Sequence, residues 1–394
     1  MKKIIIVCDS VADAPLEELD GRTPLQTARC PFASRLAQTG QTGLLTLPRA
    51  GTEDHGEQLL GLFAGMTREQ ASALRQGPLE AMASGIDLSD YDFAWCGHFV
   101  TMDGDVLRDS LVRSLSLEET RWLAEQLQRE WDAQRVRFAA TEPSRLLVLY
   151  STAGGARPQP GHPPHLSEGA RADEFIRRSR ADNIVRDIFE RSRRILDNQP
   201  LNEIRVDLGE NPANALWLWG GGPMSGMHEL FTGFRISGAM LTQCPMAAGL
   251  ARLAGMETIE MRDVWTAGGG MAFNLPLLVQ ELRQKDLLLV YAGAPRPGGR
   301  YGSAVEKVRA IEAMDANLLG PLSDVLAAHR PCRIILAANR GVSTPTGLPE
   351  AGRIPFVLAG DGIGADETQN WNEEEAARGA LGSVKLSRLA DLLE

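Results

Sequence analysis

Short apolar runs alternate with amphipathic stretches along the whole chain. Lys3–Cys8, Leu287–Tyr291 and Ile334–Ala337 are continuous in their apolar character, the pattern of strands buried on both faces. Further strands are predicted at Gly43–Leu47, Phe93–Cys96, Leu146–Tyr150, Leu216–Trp219, Thr258–Met261 and Pro355–Ala359. Helical spacing runs through Glu119–Arg129, Arg178–Leu196, Met246–Leu253, Leu275–Arg283 and Ala304–Leu319. Such alternation predicts an α/β protein whose strands are covered by helices on both faces. The Gly- and Pro-rich segment Gly154–Gly169 reads as a loop in or beside a smaller second domain, and no internal repeat is evident.

Composition narrows the class. The 394 residues suffice for two or three domains, and 43% hydrophobic with 23% charged residues excludes a disordered chain. Lys plus Arg total 41 against 51 Asp plus Glu, a net charge of −10 that argues against a nucleic-acid partner. No apolar run approaches the roughly 20 residues of a membrane helix, so a cytoplasmic protein without a membrane partner is expected. Five widely spaced cysteines without a C-x-x-C read as reduced thiols.

Candidate chemistry begins where the first strand ends. Asp9 and Ser10 follow it, at the carboxyl edge where open α/β sheets bind ligands, and serve as site residues or as a turn. Thr52, in Gly51-Thr52-Glu53-Asp54-His55, reads as a helix N-cap or a nucleophile. Arg296, Arg300 and Arg340 follow predicted strands, and their planar forks suit phosphate or carboxylate. His162 and His165 lack companion metal ligands, and the arginines between Arg177 and Arg194 interleave with acids as on a solvated helix face. Gly220–Gly222 and Gly268–Gly270 fit no dinucleotide fingerprint, and phosphate-loop and serine-elbow motifs are absent.

Longer patterns carry a resemblance. Gly21-Arg22-Thr23-Pro24-Leu25, Leu36-Ala37-Gln38-Thr39-Gly40, Gly77-Pro78-Leu79-Glu80-Ala81, Asn211 through Gly220, Glu306 through Glu312 and Asn372 through Gly382 resemble the archaeal-type cofactor-independent phosphoglycerate mutases. That family belongs to the alkaline phosphatase superfamily. The resemblance implies an α/β fold: an alkaline-phosphatase-like core at 1–116 and 211–394, its mixed, mainly parallel sheet covered by helices, with a smaller α/β domain inserted at 117–210. It also implies two divalent metals, such as Mn or Zn, and a phosphoryl group carried on a serine.

The resemblance places Asp9 on a metal-ligand position and Thr52 on the nucleophile. The other ligand positions hold Arg296, Arg300, Asn339, Arg340 and a residue near Pro349, with Gly341-Val342 displacing Ser343-Thr344-Pro345. The family's substrate arginines after Asp109 are replaced by Ser110 and Leu111, for which Arg113 compensates only in part. Two ions about 4 Å apart need some six ligands, and one carboxylate with a hydroxyl remains. The sequence therefore points to a homologue with a degenerate site that has no metal and no mutase activity. It would bind a small anionic, phosphorylated ligand or a protein partner, with Arg296, Arg300, Arg340, Asn339 and Arg113 as binding residues. One alternative is an active mutase or phosphatase whose ligands come from Asp9, Asp54, His55 and Asp361. A second is a metal-free transferase or lyase acting on a phosphorylated metabolite.

Overall fold

The computed structural model describes residues 1–47, 56–88, 91–153, 158, 161–176, 183–224, 237–268, 270–293, 303–350 and 352–394. In chain order the strands are β1 (Lys2–Cys8), β2 (Gly40–Thr46), β3 (Phe93–Asp103), β4 (Val106–Asp109), β5 (Val136–Glu142), β6 (Arg145–Tyr150), β7 (Ala215–Pro223), β8 (Gly238–Thr242), β9 (Glu257–Glu260), β10 (Leu287–Ala292), β11 (Cys332–Ala338), β12 (Gly341–Val342), β13 (Pro349–Glu350), β14 (Ile354–Gly360) and β15 (Gly382–Lys385). The chain divides into two compact units, Met1–Ala73 with Gly233–Glu394, and Leu74–Thr232. The second unit contains the whole 117–210 interval.

The first unit is built on an eight-stranded sheet in the order β15-β2-β14-β11-β1-β10-β8-β9. Strands β11, β1, β10, β8 and β9 run parallel, whereas β14 is antiparallel to both β11 and β2. Ile4 through Cys8 are buried, as their continuous apolar run requires of a central strand covered on both faces. Register decides where chemistry can gather. Cys8 lies beside Ala292 of β10 and Ala338 of β11, so the carboxyl ends of the three central strands coincide.

The second unit has a sheet in the order β4-β3-β6-β5, with β7 pairing β3 on its other edge. Phe93, Trp95 and Phe99 of β3 pack with Leu123 and Leu127 of helix Leu117–Gln128 and with Ile188 and Leu196 of helix Asn183–Leu196. Ser116 and Glu119 start the former helix with a reciprocal capping box. The part of loop Gly154–Gly169 within the described residues packs on β7, where Trp217 Nε1 donates to His162 O at 2.7 Å. Gly161 (φ +77°) allows this contact, since a Cβ there would meet Leu218 O at 2.2 Å.

Several elements depart from the sequence reading. Strand β3 continues to Asp103 because Gly97 and His98, which break the apolar pattern, are also enclosed between β6 and β7. Helix Ala304–Leu319 is α-helical to Met314, becomes a π-turn over Asp315–Leu319, and gives way to helix Gly320–Ala327. On helix Asn183–Leu196 the arginines pair along the surface, Arg186 with Glu190 at 2.7 Å and Arg191 with Asp187 at 3.3 Å, as a solvated face does.

Candidate functional site

Asp9 sits immediately beyond β1, buried, where the three central strands end. Its Oδ1 accepts from Arg340 Nε at 3.1 Å and from Ser10 Oγ at 2.8 Å. Its Oδ2 accepts from the Tyr291 hydroxyl at 2.8 Å. Asn339 completes the cluster, accepting from Ser10 N at 3.3 Å and approaching the Tyr291 hydroxyl with Nδ2 at 3.4 Å. Ser10 takes a left-handed backbone (φ 62°), uncommon for a residue with a Cβ, which turns its amide toward Asn339. Burial and the neighbouring Asp9 carboxylate hold the Tyr291 phenol well above its usual range, so it stays protonated and donates.

A second cluster braces the first. Lys307 is fully buried, and its ammonium donates to Asp13 Oδ2 at 2.9 Å, Ala12 O at 3.1 Å and Val342 O at 2.7 Å. All three ammonium protons thereby have acceptors, and Asp13 also receives the Thr344 amide and hydroxyl at 3.1 and 2.6 Å. The lysine thus ties helix Ala304–Met314 to the segments that follow β1 and β11. Gly341-Val342, which displaces the Ser-Thr-Pro segment in sequence, forms β12 and pairs with Pro349 and Glu350 of β13.

Of the residues singled out in the sequence, Asp9, Asn339 and Arg340 come together here. Thr52, Asp54, His55, Arg296 and Arg300 lie outside the described residues. Arg113 belongs to the second unit, where it is exposed and makes no hydrogen bond or ion pair among the described residues. Asp361 is a correction. It follows antiparallel β14 and accepts from the Cys332 amide at 2.8 Å, at the amino end of β11. Six strand residues, roughly 20 Å, separate that end from Asp9. Asp361 pairs there with Arg330 at 2.9 Å, and the Cys332 amide and Arg330 hold its carboxyl below the usual range. Tyr291, Lys307 and Asp13 were not singled out as site residues. Tyr291 offered a signal as the polar-tipped residue at the carboxyl end of a strand beside Asp9.

Fold and site define an α/β protein with a mixed, mainly parallel sheet and with polar chemistry gathered at the carboxyl ends of its central strands. The family described as 2,3-bisphosphoglycerate-independent phosphoglycerate mutase matches residues 75–202. The second such mutase of Methanothermobacter thermautotrophicus is 31% identical over 403 residues, covering 100% of this chain and 97% of its own. The mutase of Methanothrix thermoacetophila is 28% identical over 396 residues, covering 100% and 99%. This chain belongs to the 2,3-bisphosphoglycerate-independent phosphoglycerate mutase family. In fold it is similar to the PH0037 protein from Pyrococcus horikoshii (TM-score 0.70, 20% identity, covering 100% of this chain and 96% of that one). It is also similar in fold to the cofactor-independent phosphoglycerate mutase of Thermoplasma acidophilum (TM-score 0.55, 24% identity, covering 100% and 99%).

The resemblance implies a pair of divalent cations, and the described donors at Asp9 do not fit them. Both carboxylate oxygens already accept hydrogen bonds, one of them from a guanidinium, so positive charge faces the place a cation would take. No group of three or more His, Cys, Asp or Glu side chains is arranged for a metal among the described residues. In the same residues, no helix is long and apolar enough to cross a membrane.

Proposed function

We propose that this family member binds a small phosphorylated or carboxylated metabolite at the Asp9 end of the sheet and does not interconvert phosphoglycerates. The ion pair between Arg340 Nε and Asp9 Oδ1 carries the reading: a fixed guanidinium sits against the carboxylate that a metal would need. The planar guanidinium carries a fixed positive charge and N–H donors whose geometry matches the oxygens of a phosphate or carboxylate. Arg296 and Arg300 are the further cations proposed for the pocket, with Asn339 as a neutral donor. A fixed charge of this kind holds an anion but does not activate a hydroxyl as a metal ion does. Thr52 is accordingly proposed as a helix cap, and Arg113 as a partial substitute for the family's substrate arginines.

Titration calorimetry with 3-phosphoglycerate, phosphate and sulfate, combined with a mutase assay, tests the reading. Binding weakened by Arg340→Ala, with no turnover and no phosphothreonine at Thr52 by mass spectrometry, supports it. Turnover that depends on added Mn²⁺ and disappears in Asp9→Ala overturns it.

The relatives' names favour a second reading, an active mutase with atypical metal ligands. Its ligands would be Asp9, Asp54 and His55, since Asp361 lies at the other end of the sheet.

A further inference from the structure

A cavity of about 300 Å³ lies in the first unit between helices Pro31–Thr39 and Gly320–Ala327, over the central sheet. Ile6 of β1 and Ile334 of β11 contribute apolar surface, joined by Leu36, Leu322 and Leu326 from the helices. The volume sits at the small end of the range of ligand sites, suited to one small molecule. None of these residues belongs to the Asp9 cluster.

Two features show that the cavity walls are held in place. Asp315, in the π-turn, accepts from the amides of Phe32 and Ala33 at 3.1 and 2.9 Å, capping the helix that carries Arg35. Such turns place an extra residue in a helix and recur at functional sites. Gly320 lies flush against the Phe32 ring, where a Cβ would approach to 2.9 Å, so the glycine lets the ring take its place in the cavity wall.

The charged residues lining the cavity are unequal in their commitments. Arg330 is engaged by Asp361, its Nε at 3.1 Å from Oδ2 and Nη2 at 2.9 Å from Oδ1. Arg35 and Asp324 are exposed, and neither makes a side-chain hydrogen bond or ion pair among the described residues. An apolar floor bordered by one uncommitted cation and one uncommitted anion complements a zwitterion with an apolar tail.

We propose that this cavity binds a free α-amino acid with an aliphatic or aromatic side chain. The ligand carboxylate pairs with Arg35, its ammonium with Asp324, and its side chain covers the apolar floor. A fatty acid would leave Asp324 unanswered and an alkylamine would leave Arg35 so, whereas the amino acid meets both charges.

Titration calorimetry on the full chain tests this with L-leucine and L-phenylalanine. The comparison ligands are glycine, 4-methylpentanoate, which lacks the ammonium, and 3-methylbutylamine, which lacks the carboxylate. The expected result is binding of leucine or phenylalanine, at least about tenfold tighter than of any comparison ligand. Arg35→Ala and Asp324→Ala should each weaken it about tenfold with an unchanged thermal melt, because both side chains are exposed. Ala327→Trp, which fills the cavity without altering charge, should abolish it. Absence of binding at millimolar amino acid, equal binding of 4-methylpentanoate, or indifference to both charge-removing variants overturns the proposal.

Discussion

Arg340 Nε lies 3.1 Å from Asp9 Oδ1, joining the segment after β11 to the end of β1 across a boundary where neither side chain is much exposed. Removing the guanidinium leaves a buried carboxylate with the Ser10 and Tyr291 hydroxyls as its remaining side-chain donors among the described residues. Arg340→Ala should therefore cost about 2–4 kcal/mol, read from urea unfolding. A loss below about 0.5 kcal/mol would mean that the pair contributes nothing beyond a surface contact.

The same pair bears on metal affinity. Asn339→Asp combined with Arg340→His places a carboxylate and an imidazole beside Asp9 and removes the opposing charge. The double variant should bind Mn²⁺ measurably by calorimetry, while the parent should not. Equal binding by both would show that Arg340 is no barrier to a cation.

Lys307 offers a test of the bracing cluster. Lys307→Ala leaves Asp13 buried without its counter-ion and should destabilise the protein by about 3–5 kcal/mol. Lys307→Met combined with Asp13→Asn removes both charges and should recover part of that loss in equilibrium unfolding. If the double variant is no better than the single one, the hydrogen bonds to Ala12 O and Val342 O, not the ion pair, hold the cluster.

Asp315 sets a dependence on pH. Burial raises its carboxyl from 3.8 to about 6, against the opposing effect of the Ala33 and Phe32 amides. Its folded-state value exceeds its unfolded one, so the native state holds the proton more tightly. Its contribution to stability therefore falls as pH climbs from about 4 to about 6 and is constant above. Asp315→Asn should flatten the stability curve across that window in unfolding measured at several pH values. An unchanged slope would assign the dependence to other groups.

How much of this was legible in the sequence differs from element to element. Strands β1, β10 and β11 announced themselves because burial on both faces forces a continuous apolar run, and Asp9 followed from its position at the end of β1. Strands β4, β5 and β8 did not, being short, mixed in polarity or opened by a glycine. The alternative role for Asp361 failed on strand direction: β14 runs antiparallel, so its carboxyl end emerges opposite Asp9, and local sequence does not encode that sense. Lys307 sits inside an amphipathic helix, where only tertiary packing reveals that its ammonium turns inward to Asp13.

Titrating 3-phosphoglycerate into the chain with excess chelator present asks whether arginine charge, and not a metal ion, serves the Asp9 pocket. The expected result is binding that chelation leaves unchanged and that Arg340→Ala weakens about tenfold. Binding that vanishes with chelator and returns with Mn²⁺ would contradict it.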